Sequence, residues 1–245
     1  MIDMRSYFTH RAYPCVVEKF KALFDETKLN CDDYWFAFTD LQRRISNNKC
    51  PICEVELSEY PNKINTATLD HFKPKADNMY PLLKCEPKNY ILMCSLCNST
   101  YKKDTFPLLD EKPLLFNPTE NDPLDFFELA FRYSDKGGIL ELKRKAEISK
   151  DSYEYKVCER MIKMFGLGYC HKDIHPNDKP TEEVKECRID ILTKHYGTFI
   201  ELAKAKKNKE NKKSLALFLR DKNRINELKK YGFYKFIIKN QFTIK

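Results

Sequence analysis

The sequence contains no run of about 18 or more apolar residues, and its opening stretch, MIDMRSYFTH, lacks the apolar core of a secretory signal. Those absences exclude a transmembrane helix of ordinary length and predict a soluble, cytoplasmic protein with no membrane partner. Neither an internal repeat nor a low-complexity linker divides the chain. Histidine is scarce, at 5 residues, so any catalytic or ligand role for imidazole rests on very few positions. The 245 residues that remain to be explained are 42% apolar, enough for one elaborated domain or two small ones with a real core.

Ten cysteines in a reducing compartment do not read as a disulfide framework. Four of them form two CxxC pairs. The others, Cys15, Cys31, Cys85, Cys158, Cys170 and Cys187, are scattered and are expected to be small core residues. Charge is also uneven. The net is +8, yet residues 204–245 hold 14 Lys/Arg against 3 Asp/Glu, so the preceding part is slightly acidic. A basic terminal segment points toward a polyanionic partner, although a solvated helix face would carry the same composition.

Apolar spacing predicts helices from Tyr13 to about Thr27 and from Asp32 to about Ser46, with Asp32 or Asp33 as a cap. The segment from Cys50 to about Asp104 is irregular and cysteine-rich. Phe106 to Pro123 holds four prolines and must be extended or looped. FELAFRYSDKGGILELKR reads as two strands joined by a Gly-Gly turn. Further helices are expected from Lys150 to Leu167, ended by Gly166 and Gly168, and from Pro180 to about Ala205. Another is expected from Lys212 to Lys230, before an aromatic end, YGFYKFIIKNQF.

Chemistry concentrates in the middle of the chain. Cys50-Pro-Ile-Cys53 and Cys94-Ser-Leu-Cys97 supply four soft ligands suited to a structural Zn²⁺, which would staple a segment too small to fold on its own core. A redox dithiol at Cys50/Cys53 is the competing reading of a single pair. Between the pairs lie Asp70 and His71, adjacent and therefore directed to opposite sides of an extended strand. Asn89 follows, and Asn98 stands directly after Cys97. The Asp70 carboxylate and the Asn98 amide oxygen suit a hard divalent ion, Mg²⁺ or Mn²⁺, and His71 suits a general base that activates water. Lys73, Lys75, Lys102 and Lys103 surround them and would contact phosphates. Each also has a plainer role: a hydrogen-bonding histidine, Asn98 as a helix cap, Asn89 as a structural amide.

In order and spacing, Cys50–Asp104 resembles the HNH (ββα-metal) endonucleases of the zinc-stapled DH…N…N variety, including the phage Holliday-junction resolvase endonuclease seven. That resemblance implies a structural zinc on Cys50, Cys53, Cys94 and Cys97, a catalytic Mg²⁺ on Asp70 and Asn98, and His71 as general base. Asn89 would brace the loop carrying the histidine. CPICE, DHFKPK, NYILMCSLCN, KKDTFP and LLFNPTENDPLDFF are similar to the PtuB-like nuclease subunits of Septu-type and retron-associated anti-phage systems, over roughly residues 45–145. Pro87 stands where that pattern has an aromatic residue, and GLGYCHKDIHPNDKP looks like an insertion.

The implied fold is α+β and mostly helical. It comprises an N-terminal helical segment (1–48), a zinc-stapled ββα-metal core (49–125), and a hairpin plus helical C-terminal region with a basic tail (126–245). The implied partners are nucleic acid, DNA foremost, and an ABC/SMC-like ATPase (PtuA-like), with a retron reverse transcriptase and its RNA/DNA in some systems. The alternative is a non-catalytic zinc module that binds nucleic acid or protein. Cys170, His171 and His175 would allow a second metal site, but Pro176 and nearby glycines favour a loop there.

Overall fold

Helix α1 (Tyr13–Thr27) carries Tyr13, Val16, Val17 and Phe20 at helical spacing, and α2 (Phe36–Ile45) repeats the pattern with Phe38, Leu41 and Ile45. In the computed structural model, which describes residues 1–27, 36–60, 65–134, 137–167, 213, 214, 216, 217 and 220–234, these stripes meet on one core. The buried cluster is Tyr7, Phe20, Phe38, Leu41, Leu69 and Tyr90. Its rings pack edge to face, with centroids 5.2 Å apart for Phe20–Phe38 and 5.5 Å for Phe38–Tyr90.

Leu69 and Tyr90 enter that core from a two-stranded antiparallel hairpin, β1 (Ala67–His71) and β2 (Tyr90–Cys94). The register sets Ala67 opposite Cys94, Leu69 opposite Leu92 and His71 opposite Tyr90. Gln42, fully buried on α2, supplies what a further strand would have supplied. Its Nε2 donates to the Tyr90 carbonyl at 3.0 Å and its Oε1 accepts from the Leu92 amide at 2.8 Å. A buried strand edge is thereby paired by a side chain.

β2 runs directly into a short helix, Leu96–Lys102, wound more widely than an α-helix: the Lys103 amide donates to the Asn98 carbonyl, five residues back, at 2.7 Å. The proline-rich stretch that follows is looped as expected, interrupted by the small pair β3 (Leu108–Leu109) and β4 (Lys112–Pro113).

The chain divides into two compact units, Met1–Asp122 and Pro123–Lys245. The second contains α3 (Pro123–Phe126), the hairpin β5 (Phe127–Ser134) and β6 (Gly137–Arg144), α4 (Tyr153–Phe165) and α5 (Lys222–Leu228). Buried Val157, Cys158, Met161, Met164 and Phe165 form the inner face of α4. Ser152 accepts from the Tyr155 amide to cap its start, and Gly166 ends it in the left-handed conformation with φ 61°.

The described residues are thus mixed helix and strand. No helix among them is long and apolar enough to cross a membrane. The helix expected over 180–205, Gly168, most of the basic tail and the Cys170/His171/His175 group lie outside the described residues. Cys85 departs from the expectation that the scattered cysteines are reduced core residues, because it is disulfide-bonded. Cys158 is buried and free as expected, whereas Cys15 is exposed.

Candidate functional site

The Cys50 and Cys53 sulfurs come from the loop before β1, and those of Cys94 and Cys97 from the junction of β2 with the Leu96–Lys102 helix. All four are buried and lie within 4.8 Å of one another. Cys50–Cys97 and Cys53–Cys94 are each separated by 3.7 Å. Sulfurs around a tetrahedral ion with bonds of about 2.3 Å stand about 3.8 Å apart, so the donor set matches a structural metal such as zinc. The Cys94 amide donates to Cys50 Sγ at 3.3 Å and the Cys97 amide to Cys94 Sγ at 3.4 Å, the contacts that favour thiolate charge. Burial pushes the Cys50 thiol well above its ordinary value, so a cation among the four is what would hold them as thiolates.

This cluster fixes where β1 and the following helix meet. Strand alternation sends Thr68 and Asp70 to one face of β1, and Leu69 and His71 to the other. On the first face the helix approaches with Asn98 and Lys102, one turn apart. Asn98 Nδ2 donates to Thr68 Oγ1 at 3.1 Å, and Lys102 Nζ lies 2.8 Å from Asp70 Oδ2. Asn98 therefore sits inside the helix with its amide turned to β1, and the residue at the helix cap is Ser95. With Nδ2 committed to Thr68, Oδ1 is the remaining acceptor of that amide.

The Lys102 side chain is 1% exposed and that of Asp70 is 9% exposed. Lys102 Nζ also donates to the His71 carbonyl at 2.9 Å. Burial pushes the Asp70 carboxyl up to about 6 from 3.8; the Lys102 ammonium opposes that rise and Asp104 adds to it.

On the opposite face, His71 packs edge-on against its register partner Tyr90, with centroids 5.3 Å apart. His71 Nε2 is 2.7 Å from the Lys84 carbonyl. A carbonyl only accepts, so Nε2 carries the proton and the lone pair of the neutral ring belongs to Nδ1. Tyr90 Oη donates to the same Lys84 carbonyl at 3.0 Å.

Asn89 is buried behind this loop. Its Oδ1 accepts from the Lys73 amide at 2.8 Å, and its Nδ2 donates to the carbonyls of Lys73 at 2.9 Å and Leu83 at 3.2 Å. Lys73 and Lys75 are half-buried and Lys103 is exposed, while Lys73 Nζ lies 5.5 Å over the Tyr80 ring. The hairpin and its helix thus bring Asp70, His71, Asn89, Asn98 and Lys102 into one neighbourhood. Thr68, Lys84 and Tyr90 join them without having been singled out from sequence. Lys84 and Tyr90 carry no sequence signal, because one acts through its carbonyl and the other looks like any core aromatic. Thr68 is betrayed only by its spacing of two from Asp70.

No family model and no solved structure matches this chain. It is 28% identical to the Septu protein PtuB of Bacillus mycoides (strain KBAB4) over 152 residues, 52% of this chain and 45% of that protein. It is 33% identical to the Septu protein PtuB of Bacillus thuringiensis over 104 residues, 42% of this chain and 37% of that protein. The matched stretch spans less than half the length of either relative, and over that stretch the chain is PtuB-like.

Proposed function

We propose that the chain is a metal-dependent HNH endonuclease, with Cys50–Asp104 as its zinc-stapled ββα-metal core. It would hydrolyse phosphodiester bonds, of DNA foremost, as a cytoplasmic effector of an anti-phage system. The observation that carries this reading is the placement of Asp70 and His71 on opposite faces at the end of one hairpin. The helix that follows the four-cysteine cluster lays Asn98 and Lys102 along the Asp70 face. A purely structural metal knuckle explains the cysteines and leaves that arrangement without a purpose.

In this reading Zn²⁺ occupies the four-cysteine cluster. The Asp70 carboxylate and Asn98 Oδ1 would hold Mg²⁺ or Mn²⁺, and the fit is supported by a carboxylate that already attracts a buried cation, the Lys102 ammonium. Bound there, the ion would supply Lewis acidity that stabilises the charge developing in the displacement. His71 Nδ1 takes a proton from water, whose oxygen attacks phosphorus as the bond to the 3′-oxygen breaks; the leaving 3′-oxyanion takes a proton from solvent water, and His71 later returns its own to solvent. The products are a 5′-phosphate and a 3′-hydroxyl. The Lys84 carbonyl holds the tautomer this role requires, and Asn89 holds the loop that precedes it. Lys73, Lys75 and Lys103 are the lysines offered to flanking phosphates. By likeness to the Septu relatives, a PtuA-like ATPase is the partner that controls cleavage.

Nicking of supercoiled plasmid in Mg²⁺ or Mn²⁺ by wild type, and its loss in His71→Ala with zinc content retained, is the expected result. Equal cleavage by both proteins would reject His71 as the base. If both are silent, alone and with the ATPase, the site is a binding module rather than a nuclease.

A further inference from the structure

We propose that Lys102 is the resident counter-ion of Asp70: a divalent ion reaches that carboxylate only by displacing the Lys102 ammonium, so Lys102 sets the metal requirement of the site. The inference rests on the reading of Asp70 as a metal ligand and adds a positioning residue to it.

Lysine is almost never fully buried unless its charge is paired, because an ammonium leaves water at a cost of several kcal/mol. Lys102 is 1% exposed, yet its two contacts are both to hard oxygen, Asp70 Oδ2 at 2.8 Å and the His71 carbonyl at 2.9 Å. A carboxylate and a carbonyl are also the donor types that Mg²⁺ and Mn²⁺ prefer. The ammonium therefore stands in for a cation where the proposed catalytic ion would be held. The winding of the Leu96–Lys102 helix explains why the two compete. Asn98 and Lys102 lie one turn apart on it and address Thr68 and Asp70, two apart on β1, so ligand and competitor reach the same strand face.

Asp104 is the other acidic group near Asp70 and the obvious alternative partner once the ammonium is displaced. The Lys102 ammonium is 2.8 Å from the carboxylate oxygen, and unit charges about 4 Å apart attract by roughly a thousandfold in affinity even at an effective dielectric near 20.

Two measurements that do not depend on cleavage test the proposal. Mn²⁺ binding is followed by electron paramagnetic resonance at pH 8 for wild type, Lys102→Met and Lys102→Gln, each first checked for far-ultraviolet circular dichroism and zinc content. At least about tenfold tighter Mn²⁺ binding is expected in whichever of the two variants folds. Unchanged or weaker binding overturns the proposal.

Tighter binding alone would also follow if Lys102 stayed in place and merely repelled the ion. Acetylation footprinting separates the two, with exposed Lys103 as internal reference. Lys102 is expected to be protected in zinc-loaded protein without added Mg²⁺, to become reactive at saturating Mg²⁺, and to be reactive in Asp70→Asn irrespective of Mg²⁺. Continued protection at saturating Mg²⁺ overturns displacement. If wild type takes up Mn²⁺ in an Asp70-dependent way while Lys102 changes nothing, only this inference fails. If Mn²⁺ is not bound, or Asp70→Asn binds it equally, the metal-ligand reading falls and takes the inference with it.

Discussion

Asn89 commits both ends of its amide to main-chain groups of the loop, with the Lys73 amide and carbonyl on one side and the Leu83 carbonyl on the other. Truncation to alanine leaves those half-buried groups without the side-chain partner, at about 1 kcal/mol or more. Asn89→Ala is expected to lower the thermal midpoint and to reduce plasmid nicking, with zinc content unchanged. A midpoint equal to wild type would mean that water replaces the side chain. Cys158 illustrates a different reading. Its thiol donates to the Phe126 carbonyl at 3.4 Å, and burial pushes its pKa up to about 12. The reactive species is the thiolate, so at pH 8 only about one part in ten thousand is available. Mass mapping after iodoacetamide treatment should find exposed Cys15 modified and Cys158 intact, with Cys158 becoming reactive only as pH climbs toward 12. Rapid labelling of Cys158 at pH 8 in folded protein would contradict its placement. Sequence could propose Asp70, His71, Asn89 and Asn98 from residue type and order. It could not assign Lys102 to Asp70, because a lysine next to an exposed lysine looks like a second surface charge.

Helix α4 was readable at its C-terminal end, where Gly166 takes the positive φ that costs residues with a Cβ; its start, expected at Lys150, lies at Tyr153, where Ser152 offers an oxygen to an otherwise unpaired amide. Ser152→Ala and Gly166→Ala are each expected to destabilise the second unit by about 1 kcal/mol, read as a lower urea midpoint with an unchanged slope. A shift below the error of either measurement would mean the cap is replaced by solvent. The β5–β6 hairpin was readable as two runs of alternating apolar residues, but Gly137 and Gly138, expected to form its turn, are instead the first residues of β6, opposite Ser134 and Tyr133. Two features of the first unit had no such local signature. The Leu96–Lys102 helix is short and widely wound, and its path is set by the cysteines before it and the contacts to β1, which are remote in sequence. Gln42 sits in an otherwise ordinary amphipathic helix, and only the docked strand makes it an edge partner. Tertiary context decides both, so propensity and periodicity are silent on them.

The division of the chain at Asp122/Pro123 gives metal removal an uneven consequence. The first unit ties its hairpin to its helix through four buried cysteines, whereas the second has a core of its own in Phe127, Leu142 and the inner face of α4. A structural zinc contributes on the order of 10 kcal/mol at neutral pH, comparable with the whole stability of a typical domain. Loss of a zinc held by the four cysteines would thus be enough to unfold the unit that holds it. Hydrogen exchange read by mass spectrometry before and after chelation should show protection collapsing across β1, β2 and Leu96–Lys102. The amides of α4, which depend on Ser152, Gly166 and apolar packing, should keep most of theirs. Acidification should mimic chelation, because protons compete with the metal for each thiolate, and the same peptides should lose protection as pH falls. Protection that survives chelation in β1 and β2 would assign the stability of that hairpin to the Phe20, Phe38 and Tyr90 core, and would reduce the cysteine cluster to a local clamp. Simultaneous collapse of α4 would mean that the second unit borrows stability from the first, despite having apolar residues enough for a core.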